Sequence, residues 1–194
     1  MDFFLHIPKL FITSAIARSG NMHTLVIGKY SCQIRPVRRT DILKIFEIEK
    51  RVFGDDKFDI ILLRDLVQQS IQFVILEEET SGEMLGFCIT MQINPQDLRG
   101  SNHHSAPQLP TTHIVNIAID MPYQHHGLGK FLLQYCLDEM KKLGYQKVQL
   151  EVNTANWQAI SLYKQFGFQQ GEFLANYYRS GANAYRMEKL LQEN

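Results

Sequence analysis

The run Gln124-His125-His126-Gly127-Leu128-Gly129-Lys130 places two glycines where an apolar strand gives way to a helix. The first four amides of a helix have no internal partners and sit at the positive end of its dipole. Gly127 and Gly129 lack the Cβ atoms that would hold a phosphate away from those amides. Each dipole contact is modest, about 0.3–1 kcal/mol, but several converge on one diphosphate. The bland alternative is a glycine turn that only leads the chain into a helix. The spacing is wrong for a dinucleotide G-x-G-x-x-G, and no Lys-Ser or Lys-Thr pair follows as in a P-loop.

Other reactive side chains point to less. His125-His126 and His103-His104 are adjacent pairs, which rarely share one metal, and no carboxylate or cysteine stands at ligand spacing. They read as solvated or phosphate-adjacent imidazoles, and no metal is expected. Cys32, Cys88 and Cys136 form no C-x-x-C pair and read as buried thiols in a reducing cytoplasm.

The elements that must position the glycine loop follow from periodicity. Leu128, Phe131, Leu132, Tyr135 and Leu143 predict one apolar helix face ending at Gly144, and His113 to Ile119 predicts the strand before it. Upstream, Cys32 to Arg38 alternates as a strand, with Pro36 suggesting an edge. Thr40 or Asp41 can cap a helix with Ile42, Ile45, Phe46, Val52 and Phe53 on its apolar face. Gly54-Asp55-Asp56 breaks it, and Ile60, Leu63, Leu66 and Val67 mark a second helix. Strands are predicted over 72–76 and 84–93, joined by the turn Thr80-Ser81-Gly82-Glu83. A polar loop over 94–112 then separates them from the strand at His113. Beyond Gly144 come a strand over 147–152, a helix over 156–166 and strands near 168–174 and 184–190. This order predicts an α/β protein, a mixed sheet covered by helices.

Composition sets the outer limits. The chain has 194 residues, 45% of them apolar, and reads as one domain over 32–194. Residues 1–31 lack its patterning and read as an N-terminal extension, with a turn at Ser19-Gly20-Asn21 and a short strand over 24–27. Lys+Arg and Asp+Glu are both 20, and zero net charge argues against general nucleic-acid binding. No apolar run approaches the roughly 18 residues that span a bilayer. Phe3-Phe4-Leu5 is preceded by Asp2 and interrupted by Pro8 and Lys9, so it makes a poor signal core. No membrane partner is expected, and the location expected is cytoplasmic.

A second block lies downstream of the glycine loop. Leu150-Glu151-Val152-Asn153 leads to Asn156, then to Ala159-Ile160-Ser161-Leu162-Tyr163 and Phe166-Gly167-Phe168. With Gln124–Lys130, this block resembles the GNAT superfamily of acetyltransferases, and more narrowly the RimI-type, ribosomal-protein-alanine N-acetyltransferases. The resemblance runs from about Gln33 to Leu190.

The resemblance implies a GNAT fold: a mostly antiparallel sheet with one splayed parallel strand pair, helices on both faces, and acetyl-CoA lying in the gap. On that pattern Ile117, Ala118 and Ile119 offer backbone groups to the cofactor. His125, His126, Gly127, Leu128, Gly129 and Lys130 wrap its pyrophosphate, and Asn156 contacts it near the pantetheine or caps a helix. Glu151 matches the family's general base and Tyr163, twelve positions later, the general acid for the departing thiolate. Burial beside the cofactor is expected to raise the Glu151 pKa.

The acceptor implied is the α-amino group of a protein N-terminus, on a ribosomal protein or another nascent chain. A small-molecule amine and an inactive acetyl-CoA-binding module are the alternatives. Tyr177-Tyr178 matches the family's tandem tyrosines. Four features depart from it: histidines replace arginines at 125 and 126, Asn153 replaces an arginine, Ala182-Asn183 an acidic pair, and the 94–112 loop is long. Imidazole is only partly charged near neutrality, so cofactor affinity is expected to weaken between about pH 6 and 8.

Overall fold

Along the chain the elements are β1 (Leu25–Ile27), β2 (Tyr30–Pro36), α1 (Ile42–Phe53), α2 (Ile60–Gln69), β3 (Gln72–Glu78) and β4 (Met84–Ile93). They continue with β5 (Thr111–Ile119), α3 (Leu128–Lys142), β6 (Lys147–Asn153), α4 (Trp157–Gln165), β7 (Gln169–Leu174) and β8 (Ala184–Leu190). This is a computed structural model that describes residues 25–93 and 109–191. The turn at Ser19, the Phe3-Phe4-Leu5 run, His103-His104 and most of the 94–112 loop fall outside the described residues.

The strands form one sheet in the order β1-β2-β3-β4-β5-β6-β8-β7, antiparallel except between β5 and β6. The central strands are apolar on both faces because helices cover both. On β3, Phe73 and Ile75 pack with Ile45, Ile48, Leu63 and Leu66 of α1 and α2. Val74 and Leu76, one residue out of phase, pack with Leu128, Leu132 and Cys136 of α3 on the opposite face. Phe87 on β4 is fully buried in the first cluster, where truncation to alanine typically costs about 3–5 kcal/mol.

The one parallel ladder is short. Thr111–Ile114 pair with Lys147–Leu150, and no pairing of β5 with β6 continues beyond. On its other side β5 stays paired with β4 as far as Ile119, but the register shifts so that Ile89 meets Asn116 and Thr90 meets Ile114. Val115 is the extra residue of a bulge, and a bulge bends its strand. The far half of β5 therefore departs from β6, as the splayed pair requires.

Several local expectations change. Asp41 does not cap α1 with its side chain. Its carboxylate instead takes both Nη atoms of Arg35, at 2.7 and 3.0 Å, and the Arg38 amide at 2.7 Å. Leu143 is not on the buried face of α3. The helix ends at Lys142, Leu143 turns out at 52% exposure, and Gly144 reverses the chain with φ 84°. The buried face runs instead through Leu128, Leu132, Leu133, Cys136, Leu137 and Met140. Pro36 suits its place, because β1 covers β2 only to Cys32 and the edge beyond needs no N–H. Residues 25–31 add to the same sheet as the rest.

Candidate active site

The gap between β5 and β6 is lined by backbone. Phe87 pairs with Ala118, and the Asp120 amide bonds Leu85 O at 2.9 Å. Antiparallel alternation therefore turns the Ala118 groups toward β4 and those of Ile117 and Ile119 toward the gap. Of the three residues expected to offer backbone groups, Ala118 faces the wrong way. The Ile119 carbonyl already accepts from Gln124 Nε2 at 2.9 Å, which ties the glycine loop to the strand end.

The loop then presents bare amides. His125 and Gly127 both take left-handed conformations, φ 64° and 82°, and alternating backbone hands make concave clusters of N–H groups that suit anions. Gly127 caps α3 with no side chain, and the first turn of α3 holds no acidic residue. An added Cβ on Gly129 would lie 3.6 Å from Ile119 Cγ1. These features fit a pyrophosphate. Leu128 is buried in the core, so it can offer only its amide, whereas His125, His126 and Lys130 are exposed. The β1–β2 hairpin supports the loop from outside. Tyr30 meets Tyr123 and His126 edge-on, with ring centroids 5.8 and 5.5 Å apart. Asn156 caps α4, its Oδ1 accepting from the Ala159 amide at 3.0 Å, which leaves its amide NH2 for other partners.

Glu151 lies at the other end of the gap, its side chain only 6% exposed. Its Oε2 stands 2.6 Å from His113 Nε2 and accepts from the Tyr177 hydroxyl at 3.2 Å. Its Oε1 accepts from Arg186 Nε at 3.0 Å and, longer, from Gln149 Nε2 at 3.4 Å. Four elements supply these groups: β5 gives His113, β6 itself gives Gln149, β8 gives Arg186 directly opposite Glu151, and the loop after β7 gives Tyr177. Burial alone would raise the Glu151 pKa, but the bonds and charges of His113 and Arg186 outweigh it and hold the carboxyl at about 2. The expected upward shift is corrected: Glu151 is a firmly ionised anion and a weak proton acceptor.

A small cleft of about 90 Å³ opens beside this cluster, lined by Phe58, Leu62, His113, Val115 and Tyr178 as well as Glu151. Tyr163 is not among its lining residues. It is buried between α4 and the sheet, its ring 5.7 Å from Phe168. Burial, then the neighbouring Cys88 and Tyr178, push its phenol well above the ordinary range, so it keeps its proton. Tyr178 is also within electrostatic reach of Glu151, as it is of Tyr163. His113, Arg186 and Gln149 were missed from sequence. The available signal was a polar residue at position 113, but the same strand also carries Thr111, Thr112 and Asn116, and the partners of His113 come from other elements. Among the described residues no group of three or more His, Cys, Asp or Glu could hold a metal ion, and no helix is long and apolar enough to cross a membrane.

A sheet that parts at its single parallel pair, beside a helix whose first amides are bare, is the frame of a CoA-dependent acyltransferase. The model of the acetyltransferase (GNAT) family matches residues 39–168. An N-alpha-acetyltransferase of Sulfurisphaera tokodaii is 32% identical over 160 residues, which are 80% of this chain and 90% of the relative. A ribosomal protein bS18-alanine N-acetyltransferase of Escherichia coli is 28% identical over 145 residues, 75% of this chain and 86% of the relative. The crystal structure of Ard1 from Thermoplasma volcanium superposes with a TM-score of 0.70 at 25% identity, covering 84% of this chain and 99% of that one. The chain belongs to the GNAT family of acetyltransferases. It is an acetyl-CoA-dependent N-acetyltransferase.

Proposed function

We propose that this chain acetylates the α-amino group of a protein N-terminus, with residues 32–194 as the catalytic domain. The observation that carries the reading is the cleft whose apolar wall, Phe58, Leu62 and Val115, meets a polar end at His113 and Glu151. An apolar wall suits a small first side chain, and the anion suits an arriving ammonium. An α-amino group, with a pKa of about 7.7–8, also gives up its proton more readily than a lysine amine near 10.4. A nascent ribosomal protein in the cytoplasm is the partner class that fits best, in line with the relative named for one.

Acetyl-CoA supplies an acetyl group activated as a thioester. The chain's own residues do the rest. Ile117 and Ile119 offer backbone groups along the gap. The amides from His125 to Lys130 hold the pyrophosphate, and the free amide of Asn156 reaches the pantetheine while its oxygen keeps the helix cap. Glu151 marks the end at which the amine loses its proton. Tyr163 keeps a proton for the departing sulfur.

The test is a peptide-library acetylation assay with a panel of small amines alongside, the modified nitrogen being located by mass spectrometry. Acetylation of peptide α-amines is expected, and transfer to small amines alone overturns the reading. Glu151→Gln and Tyr163→Phe should each abolish most transfer while acetyl-CoA binding, followed by calorimetry, persists. Unchanged turnover in both removes the assignment of these two residues.

A further inference from the structure

We propose that Arg179 sets acceptor specificity: its guanidinium takes the side-chain carboxylate of an aspartate or glutamate at the second or third position of the incoming N-terminus. The proposal rests on the N-terminal reading above and narrows it to one class of peptide.

The backbone places this side chain. Arg179 stands in the turn from Tyr178 to Gly181, between β7 and β8. There Tyr178 O accepts from the Gly181 amide at 2.9 Å, and the Tyr178 amide donates to Ala182 O at 3.1 Å. Gly181 closes the turn with φ 82°, a conformation that glycine takes at no steric cost. Asp56 grips the next residue, Ser180, through its amide and its hydroxyl. The rim thus carries Arg179 at a fixed point of the cleft lining, beside Tyr178.

Charge then separates Arg179 from its neighbours. Three residues of the lining carry full charges at neutral pH: Asp56, Glu151 and Arg179. Glu151 is engaged by His113, Tyr177, Arg186 and Gln149. Both oxygens of Asp56 are held by Ser180. Among the described residues Arg179 makes no hydrogen bond and no ion pair, and it is exposed. It is also the only charged residue in the loop over 175–183. The cleft therefore offers an incoming chain one uncommitted charge, and it is positive.

Size decides which part of the acceptor meets it. At about 90 Å³ the cleft has room for the amine and a small first side chain, against Glu151 and the apolar wall. An extended peptide advances roughly 3.3 Å per residue, so its second and third residues lie at the rim. A carboxylate there matches the guanidinium fork, which can donate two parallel N–H bonds to it. A basic side chain there meets a like charge, and a neutral one gains nothing from it.

The test is steady-state kinetics of the full chain, with peptides alike except for Glu, Gln or Lys at the second or third position. Wild-type kcat/KM should fall in the order Glu, Gln, Lys, with Glu about 3- to 10-fold above Gln. The gap should narrow between about 0.01 and 1 M salt, as screening shortens from roughly 30 to 3 Å. Arg179→Ala should bring the Glu peptide down to the Gln peptide. Arg179→Lys should keep part of the preference, and Arg179→Glu should reverse it in favour of the Lys peptide. Calorimetry with acetyl-CoA shows that each variant is folded.

Equal wild-type rates on all three peptides overturn the proposal and leave the N-terminal reading standing. So does a preference for Glu that survives in a folded Arg179→Ala. Transfer to small amines alone overturns both, which keeps the two failures apart.

Discussion

Asp56 and Ser180, 124 positions apart, are joined by two hydrogen bonds at the rim of the acceptor cleft. Asp56 Oδ1 accepts from the Ser180 amide and Oδ2 from its hydroxyl, both at 2.8 Å. The bridge ties the turn after α1 to the loop that carries Tyr177 and Tyr178, so both walls of the cleft hold one width. Asp56→Ala should release them. The site is exposed, so the expected loss is about 1 kcal/mol, roughly a fivefold rise in peptide KM. Steady-state kinetics with both substrates varied should show the KM for acetyl-CoA unmoved.

Glu49 on α1 is a fully buried carboxylate. It accepts from the Phe58 amide at 3.0 Å and from Asn116 Nδ2 at 2.6 Å. Burial raises its pKa to about 7 against the smaller, opposing effect of the Phe58 bond. Between pH 4.5 and 7 the folded protein then binds a proton that the unfolded chain has lost. Stability from this group is full below that window and is lost as pH rises through it, in all about 3 kcal/mol. Glu49→Gln, with the Asn116 amide turned over to match, should flatten the pH dependence of Tm between about 5 and 8 and raise Tm most at the alkaline end. An unchanged slope in thermal scans would assign that pH dependence elsewhere. Glu151 has the opposite sign: its contribution is present above pH 4.5 and is lost as pH falls toward 2.

Gly86 on β4 is required by close approach. A Cβ there would lie 2.4 Å from Ala118 O, 2.7 Å from Ile119 Cδ1 and 3.2 Å from Ile119 Cα. Two of these atoms are backbone, so Gly86→Ala must push β5 where it lines the gap. Destabilisation of about 1–3 kcal/mol is expected by denaturant titration, together with weaker acetyl-CoA binding by calorimetry. A variant with wild-type affinity would show that the gap tolerates the shift.

Arg51 of α1 holds Asp120 at both oxygens, 2.8 and 2.7 Å, while Asp120 also accepts from the Met121 amide at 2.9 Å. This anchors the chain where β5 gives way to the glycine loop. Arg51 is largely solvated, so the pair is worth no more than about 1 kcal/mol. Arg51→Ala should raise the KM for acetyl-CoA a few-fold and leave kcat nearly unchanged.

The sequence revealed what depends on local period and spacing. The alternation of β3 and β4, the apolar helix faces and the bare glycine loop at Gly127 are each written within a few neighbouring residues. The environment of Glu151 is not. Its donors besides Gln149 come from positions 113, 177 and 186, brought together only by the fold, so burial was legible and its reversal by charge was not. Asp41 shows the same limit, since a cap and a partner for Arg35 look alike until β2 is placed beside the turn. Leu143 had the right period but fell one residue beyond the end of its helix.

The ladder between β5 and β6 joins only Thr111–Ile114 to Lys147–Leu150. It divides the sheet into two panels that share a short seam. One panel carries the glycine loop and His113, the other Glu151 and Arg186, and Tyr163 rides on the helix that follows β6. On the proposed reading, a donor wedged into the seam would touch both panels and work as a rivet, setting the alignment of the groups on either side of it.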